Sequence, residues 1–153
     1  MPGLRAIYST PEVARWLSAT ERPATRREIE KKVSRDLRHW ETNGIGRWYW
    51  SEIDTGTLVA RCGPQLTVVC GNPEVELHWA VRPDRQGRGY ATEAANAAAE
   101  ACFKALAISS LVAYAHSDNA ASLGVMTNAG FMFERTFDVN ARLHVLHRRV
   151  TKR

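Results

Sequence analysis

One segment constrains this chain more than any other. Val81-Arg82-Pro83-Asp84-Arg85-Gln86-Gly87-Arg88-Gly89-Tyr90-Ala91-Thr92-Glu93-Ala94 joins the end of an expected strand to the start of an expected helix through a short loop of glycine and arginine. At such a junction the first amides of the helix have no intrahelical partner, and the helix dipole adds roughly +0.5 of a charge. Gly87 and Gly89 let the main chain approach a ligand with no Cβ in the way, and Arg82, Arg85 and Arg88 can add charge-assisted hydrogen bonds. The segment therefore reads as a cradle for a polyphosphate.

Two known phosphate loops fail the spacing. The P-loop needs Gly-Lys-Ser or Gly-Lys-Thr at its end, and no lysine follows either glycine. The dinucleotide fingerprint needs a third small residue where Thr92 stands. It also needs an acidic residue about 20 positions on, where Ala113 and Tyr114 stand. Neither nucleotide reading holds.

Gln86, Gly89 and Ala91 do match Gln-x-x-Gly-x-Ala, which resembles the acetyl-CoA pyrophosphate loop of the GNAT superfamily of N-acetyltransferases. Glu76-Leu77-His78-Trp79-Ala80-Val81-Arg82-Pro83 resembles the strand before that loop, and Gly89-Tyr90-Ala91-Thr92-Glu93-Ala94 the helix start after it. Asn119-Ala120-Ala121-Ser122, followed by Asn128-Ala129-Gly130-Phe131, is similar to a block in the branch that acetylates ribosomal-protein N-termini and related amines. The resemblance spans residues 7–150. It implies an α/β fold whose mixed, mostly antiparallel sheet is splayed between its fourth and fifth strands, with flanking helices and acetyl-CoA in the split. It also implies cofactor contacts at Val81, Gln86, Gly87, Arg88, Gly89, Tyr90, Ala91 and Asn119. Backbone N–H groups near Ala80, Val81 and Arg82 would polarise the thioester carbonyl. Members of this branch carry a first strand well before the segment that starts at Tyr8, and here only seven residues precede it. Either that strand is missing, leaving a sheet edge open to a second copy as a homodimer, or the start is internal.

At 153 residues the chain has the size of one domain, 1–153, with no linker or repeat. Nothing approaches about 18 consecutive apolar residues, and Met1-Pro2-Gly3-Leu4-Arg5 does not open a signal peptide, so the expectation is a cytoplasmic protein without a membrane partner. Cys62, Cys70 and Cys102 form no Cys-x-x-Cys pair and are odd in number; they are expected as buried thiols, with no zinc site or other metal. A net charge of +5 raises nucleic acid as a partner. The basic residues are scattered over Arg26, Arg27, Lys31, Lys32 and Arg35, then the loop, then Arg148, Arg149, Lys152 and Arg153, with no recognised nucleic-acid module. A solvated face is the plainer reading, and nucleic acid stays a minor alternative.

The periodicity predicts a short helix over residues 11–18 after Thr10. A longer one starts at the Thr25/Glu28 capping box, with Ile29, Val33, Leu37 and Trp40 as one stripe and Asn43-Gly44 as its end. Residues 45–53 and 57–61 flank the turn Asp54-Thr55-Gly56, and a strand resumes over 66–70 after a Gly63-Pro64 break. Over residues 74–81, Val75, Leu77, Trp79 and Val81 share one face, and Glu74, Glu76 and His78 the other. A helix over 90–106, a strand over 110–116, a helix over 119–129 and a hairpin over 131–150 complete an α/β order.

Direct acetyl transfer needs a base for an ammonium of pKa about 10, a stabilised oxyanion and an acid for the departing thiolate. Glu76 is the first candidate base and His78 a weaker one; the plain alternative is a polar strand face. The tyrosine that many members of the family place seven residues after the helix asparagine is Met126 here. Ser122 stands where the resemblance implies a serine acid; the alternative is a helix serine bonded to its own backbone. Asn119 can cap the helix or bind the pantetheine arm. Trp40, Trp48, Trp50 and Trp79 are expected in the core. The function expected is an acetyl-CoA-dependent N-acetyltransferase acting on a primary amine, either a protein N-terminus or a small amine. The alternative is an acyl-CoA-binding sensor or interaction module on the same fold.

Overall fold

In a computed structural model the chain is described over residues 2–151. Met1, Lys152 and Arg153 lie outside the described residues. Three helices, α1 (Pro2–Tyr8), α2 (Pro11–Leu17) and α3 (Arg26–Asn43), lead into strands β1 (Trp48–Ser51), β2 (Leu58–Val69) and β3 (Asn72–Val81). A 3-10 turn over Pro83–Arg85 opens the glycine loop, and α4 (Tyr90–Ala105), β4 (Ser110–His116), α5 (Ala120–Asn128), β5 (Met132–Val139) and β6 (Arg142–Val150) follow.

The strands form one six-stranded sheet in the order β1-β2-β3-β4-β6-β5, antiparallel throughout except between β3 and β4. That parallel contact has a single register pair, Glu76 with Val112, beyond which the strands part toward the C-terminal end of β3. The expected split is therefore present. It lies between the third and fourth strands because among the described residues no strand precedes β1; residues 2–8 are helical instead.

Alternation along β3 assigns the two faces. Leu77, with Cys62, Leu111 and Ala113, packs beneath the small face of α4 formed by Ala94, Ala95, Ala98, Ala99 and Cys102, which lets the helix lie close on the sheet. Ala80, on the opposite face, packs under Leu4, Ile7, Tyr8, Val13 and Ile29 of α1, α2 and α3. The α3 capping box is present in both directions, with Glu28 N donating to Thr25 Oγ1 and Thr25 N to Glu28 Oε2, and Gly44 closes the helix at φ 66°.

Several expectations need correction. The Gly63-Pro64 break does not occur, because β2 runs through it in register with β3. Glycine is needed there for a close approach: a Cβ on Gly63 would lie 2.7 Å from Arg47 Cα and from Gly46 O. Leu37 is exposed, so the α3 stripe is narrower than the periodicity suggests. Cys62 and Cys102 are buried, whereas Cys70 sits exposed in the turn after β2.

Candidate functional site

The loop after β3 has the geometry of an anion cradle. Gly87 and Gly89 take φ of 73° and 83°, values that favour glycine, and a Cβ at either position would meet nothing within 4 Å. The amides of residues 87–92 donate to no protein acceptor, the first helical bond of α4 being Glu93 N to Gly89 O at 2.9 Å. Gln86 Nε2 donates to Val81 O at 3.2 Å and so folds the loop back onto its strand. Tyr90 Oη and Arg85 Nε both donate to Glu52 Oε1, at 2.8 and 3.0 Å, and tie the loop to the β1–β2 connection.

Of the three loop arginines only Arg88 has no carboxylate partner. Arg82 makes a bidentate pair with Asp84, and Arg85 bridges Glu52 and Asp84, so the expected anion role is open to Arg88 alone among them without breaking a pair. The backbone donors also shift. Arg82 N donates to Val59 O at 2.8 Å, so the alternation of the β2–β3 ladder turns the Trp79 and Val81 amides, not those of Ala80 and Arg82, toward the split.

These groups line a groove of about 360 Å³ that runs from the loop into the split. Val81, Gln86, Gly87, Gly89, Tyr90, Ala91, Asn119 and Ser122 all border it; Arg88 does not. Asn119 is buried at the N-cap of α5 and accepts from Ser122 N at 3.1 Å. The Ser122 hydroxyl makes no hydrogen bond to protein, so it is not the backbone-bonded helix serine of the plainer reading. Val13, Trp16 and Leu17 of α2 form the opposite wall. Their place there had no signal in the sequence beyond an amphipathic turn. Met126 is fully buried in the core.

Glu76 lies elsewhere. It lines a second cavity of about 430 Å³ between the sheet and α3, with His78, Tyr114, Tyr8, Lys32, Arg35, Asp36, Arg47, Arg61 and Gln65. Leu17 borders both spaces. At 3% exposure Glu76 is not part of a solvated polar strand face. Its Oε2 accepts from Gln65 Nε2 at 2.6 Å, and Gln65 Oε1 accepts from Arg47. Burial pushes the Glu76 carboxyl up, opposed by the Gln65 hydrogen bond and by Arg47. His78 is held well below its usual range, first by burial and then by Arg47, Arg61, Lys32 and Arg35, and its Nδ1 is buried without a partner. These surroundings favour the neutral ring.

A buried network frames this cavity. Asp36 receives Arg61 through both oxygens and Tyr49 Oη at 2.8 Å, while Arg61 also donates to Tyr8 Oη at 2.9 Å. Burial alone would raise the Asp36 carboxyl, but the Arg61 guanidinium and the other donors hold it below its ordinary value. The cavity's polar residues on β2 escaped the sequence reading because of the supposed break. In an unbroken strand Arg61 and Gln65 pair with Ala80 and Glu76, on the face that carries Glu76 and His78.

Trp48, Trp50 and Trp79 pack on the core as expected, Trp79 also lining the groove; Trp40 lies outside the core clusters and meets Trp48 edge-on at 5.5 Å, as Trp48 meets Trp50 at 6.4 Å. Of the basic residues, Arg148 pairs with Glu74 and Glu134 and Arg149 with Glu100. Lys32 and Arg35 face the cavity, contrary to a simple solvated run. No group of metal-ligating side chains occurs among the described residues, and no helix there is long and apolar enough to cross a membrane.

Residues 1–132 match the family model described as Acetyltransferase (GNAT) domain. No curated protein sequence matches the chain. Solved structures similar to it include an acetyltransferase from Agrobacterium tumefaciens (TM-score 0.80, 23% identity, 98% of this chain and 84% of that chain). A GNAT-family acetyltransferase from Bacillus anthracis is similar at TM-score 0.81 and 19% identity, over 97% of this chain and 87% of that one. The ribosomal-protein-S5-alanine acetyltransferase of Vibrio fischeri is similar at TM-score 0.72 and 14% identity, over 97% and 88%. With the splayed sheet and the open-amide loop in place, the family match settles the assignment: this chain belongs to the GNAT acetyltransferase family.

Proposed function

We propose that the chain, as a single domain, moves the acetyl group of acetyl-CoA to a primary amine by direct transfer. The observation that carries this reading is the row of free amides over residues 87–92, opening onto a groove that ends beside a cavity with a buried carboxylate.

In this reading the pyrophosphate takes the amides of residues 87–92, with Arg88 free to swing onto it, and the pantetheine arm runs along Val81 toward Asn119. The Trp79 and Val81 amides face the thioester and donate to the oxyanion as the amine nitrogen attacks the carbonyl carbon. The carbon–nitrogen bond forms, the carbon–sulfur bond breaks, and the electron pair leaves with sulfur. Glu76 takes the amine proton, through water because it lies at the last β3–β4 pair rather than at the open end. Ser122 is within the groove to hydrogen-bond the departing sulfur. A cytoplasmic setting fits three free thiols.

Calorimetric titration with acetyl-CoA, free CoA and ATP tests the first half of this reading, and thiol release in the presence of an amine panel tests the second. Micromolar acetyl-CoA binding with much weaker ATP binding, followed by amine-dependent thiol release, is expected. Binding without release from any amine would leave an acyl-CoA-binding module, a reading favoured by Met126 standing in the core where the common tyrosine acid would be.

A further inference from the structure

The cavity around Glu76 has an unbalanced charge. Four cations border it, Lys32, Arg35, Arg47 and Arg61, against two carboxylates, Asp36 and Glu76. Asp36 is taken up by Arg61 and Tyr49. Lys32 and Arg35 have no acidic partner, and the Lys32 ammonium instead lies 5.2 Å from the centre of the Tyr8 ring. Arg47 is 7% exposed, yet of its five N–H groups one is bonded to Gln65, one lies 3.8 Å from Asp36, and its Nε is buried with no partner at all. The Lys32 ammonium is depressed, with burial the larger cause, followed by Arg61, Arg35 and Arg47, against a smaller opposing pull from Asp36.

Arg47 and Arg61 are buried, Lys32 is half-buried and Arg35 stands exposed at the rim; gathering like charges where water is largely excluded is unfavourable unless something negative enters. A polycation such as a polyamine or an aminoglycoside would worsen the imbalance. The one carboxylate left for an incoming amine, Glu76, sits one bridging amide away from Arg47, through Gln65. A ligand with its positive and negative ends a few bonds apart fits that spacing.

We propose that the acceptor is a small primary amine carrying its own anion, a carboxylate or a phosphate, held by Lys32, Arg35 and Arg47 with its nitrogen turned to Glu76. This rests on the acetyltransferase reading above. The anion answers the unpaired cations, and the ammonium answers Glu76.

The test compares thiol release from acetyl-CoA with free amino acids, the matching amino-acid amides, aminoethyl phosphate, spermidine and tobramycin. The best anionic acceptor should exceed its neutral counterpart in kcat/KM by roughly 10- to 100-fold, the range of one or two charge-assisted hydrogen bonds. Preference for amino acids would identify the anion as carboxylate, and preference for aminoethyl phosphate as phosphate. Lys32→Met, which keeps the apolar stem on Tyr8, combined with Arg35→Met should raise KM for the anionic acceptor and flatten that ratio. Acetyl-CoA affinity by calorimetry should be unmoved. Equal use of the amides, or preference for spermidine or tobramycin, would overturn the inference while leaving acetyl transfer standing. Acetyl-CoA binding with no acetylation of any acceptor, or no binding, would overturn the transferase reading and this inference with it.

Discussion

Glu76 and Asp36 are both buried carboxylates, and their environments drive them in opposite directions. Glu76 is raised by burial, so it ionises only at higher pH than an ordinary glutamate. As a base it should make kcat fall on the acid side at a correspondingly higher pH. Glu76→Gln should lower kcat by about 100-fold with acetyl-CoA affinity intact, measured by steady-state kinetics and calorimetry. Because the folded state favours the neutral form, ionisation of Glu76 destabilises the fold above its unfolded pKa. The glutamine variant should therefore melt higher at neutral pH, and the gain should vanish below pH about 4. Asp36 is lowered overall, so its contribution is present above the unfolded pKa and is lost as pH falls through the lower folded value. Asp36→Ala leaves Arg61, 2% exposed, without its partner and should cost roughly 3–5 kcal/mol in denaturant unfolding. Glu76 was legible because period-two alternation placed it on a single strand. Its partner Gln65 was not, since contacts between strands depend on register, which a glycine-proline pair obscured.

Among the elements, the junction of β3 with α4 carries the most testable geometry. Gly89 is the α4 N-cap at φ 83°, with open space where a Cβ would stand. Gly89→Ala should therefore destabilise through backbone strain alone, by roughly 1–2 kcal/mol, seen as a lower melting temperature. Gly89→Asp adds a negative charge where the pyrophosphate is to lie, and acetyl-CoA binding should be lost in a titration that still shows a folded protein. The α3 cap gives a control remote from that loop: Thr25→Ala should cost about 1 kcal/mol in unfolding free energy. Both junctions were readable because caps and glycine turns are local chemistry. The α2 wall of the groove was not, since what a short helix faces is decided by packing partners far along the chain.

At the level of the whole molecule, the order of elements and the split sheet were legible from three motif blocks in sequence. The split between β3 and β4 follows from the first strand being absent among the described residues, one of the two readings of the short segment before Tyr8; the α1 helix and the basic cavity were not legible, for they arise from tertiary packing. The arrangement also sets how two reactants meet. The groove and the Glu76 cavity are lined by different residues and share Leu17 as a common border. If each reactant enters through its own space, neither has to be in place for the other to bind. Initial-velocity plots should then show intersecting lines, either reactant able to arrive first, and spent CoA should depart without waiting for the acetylated product.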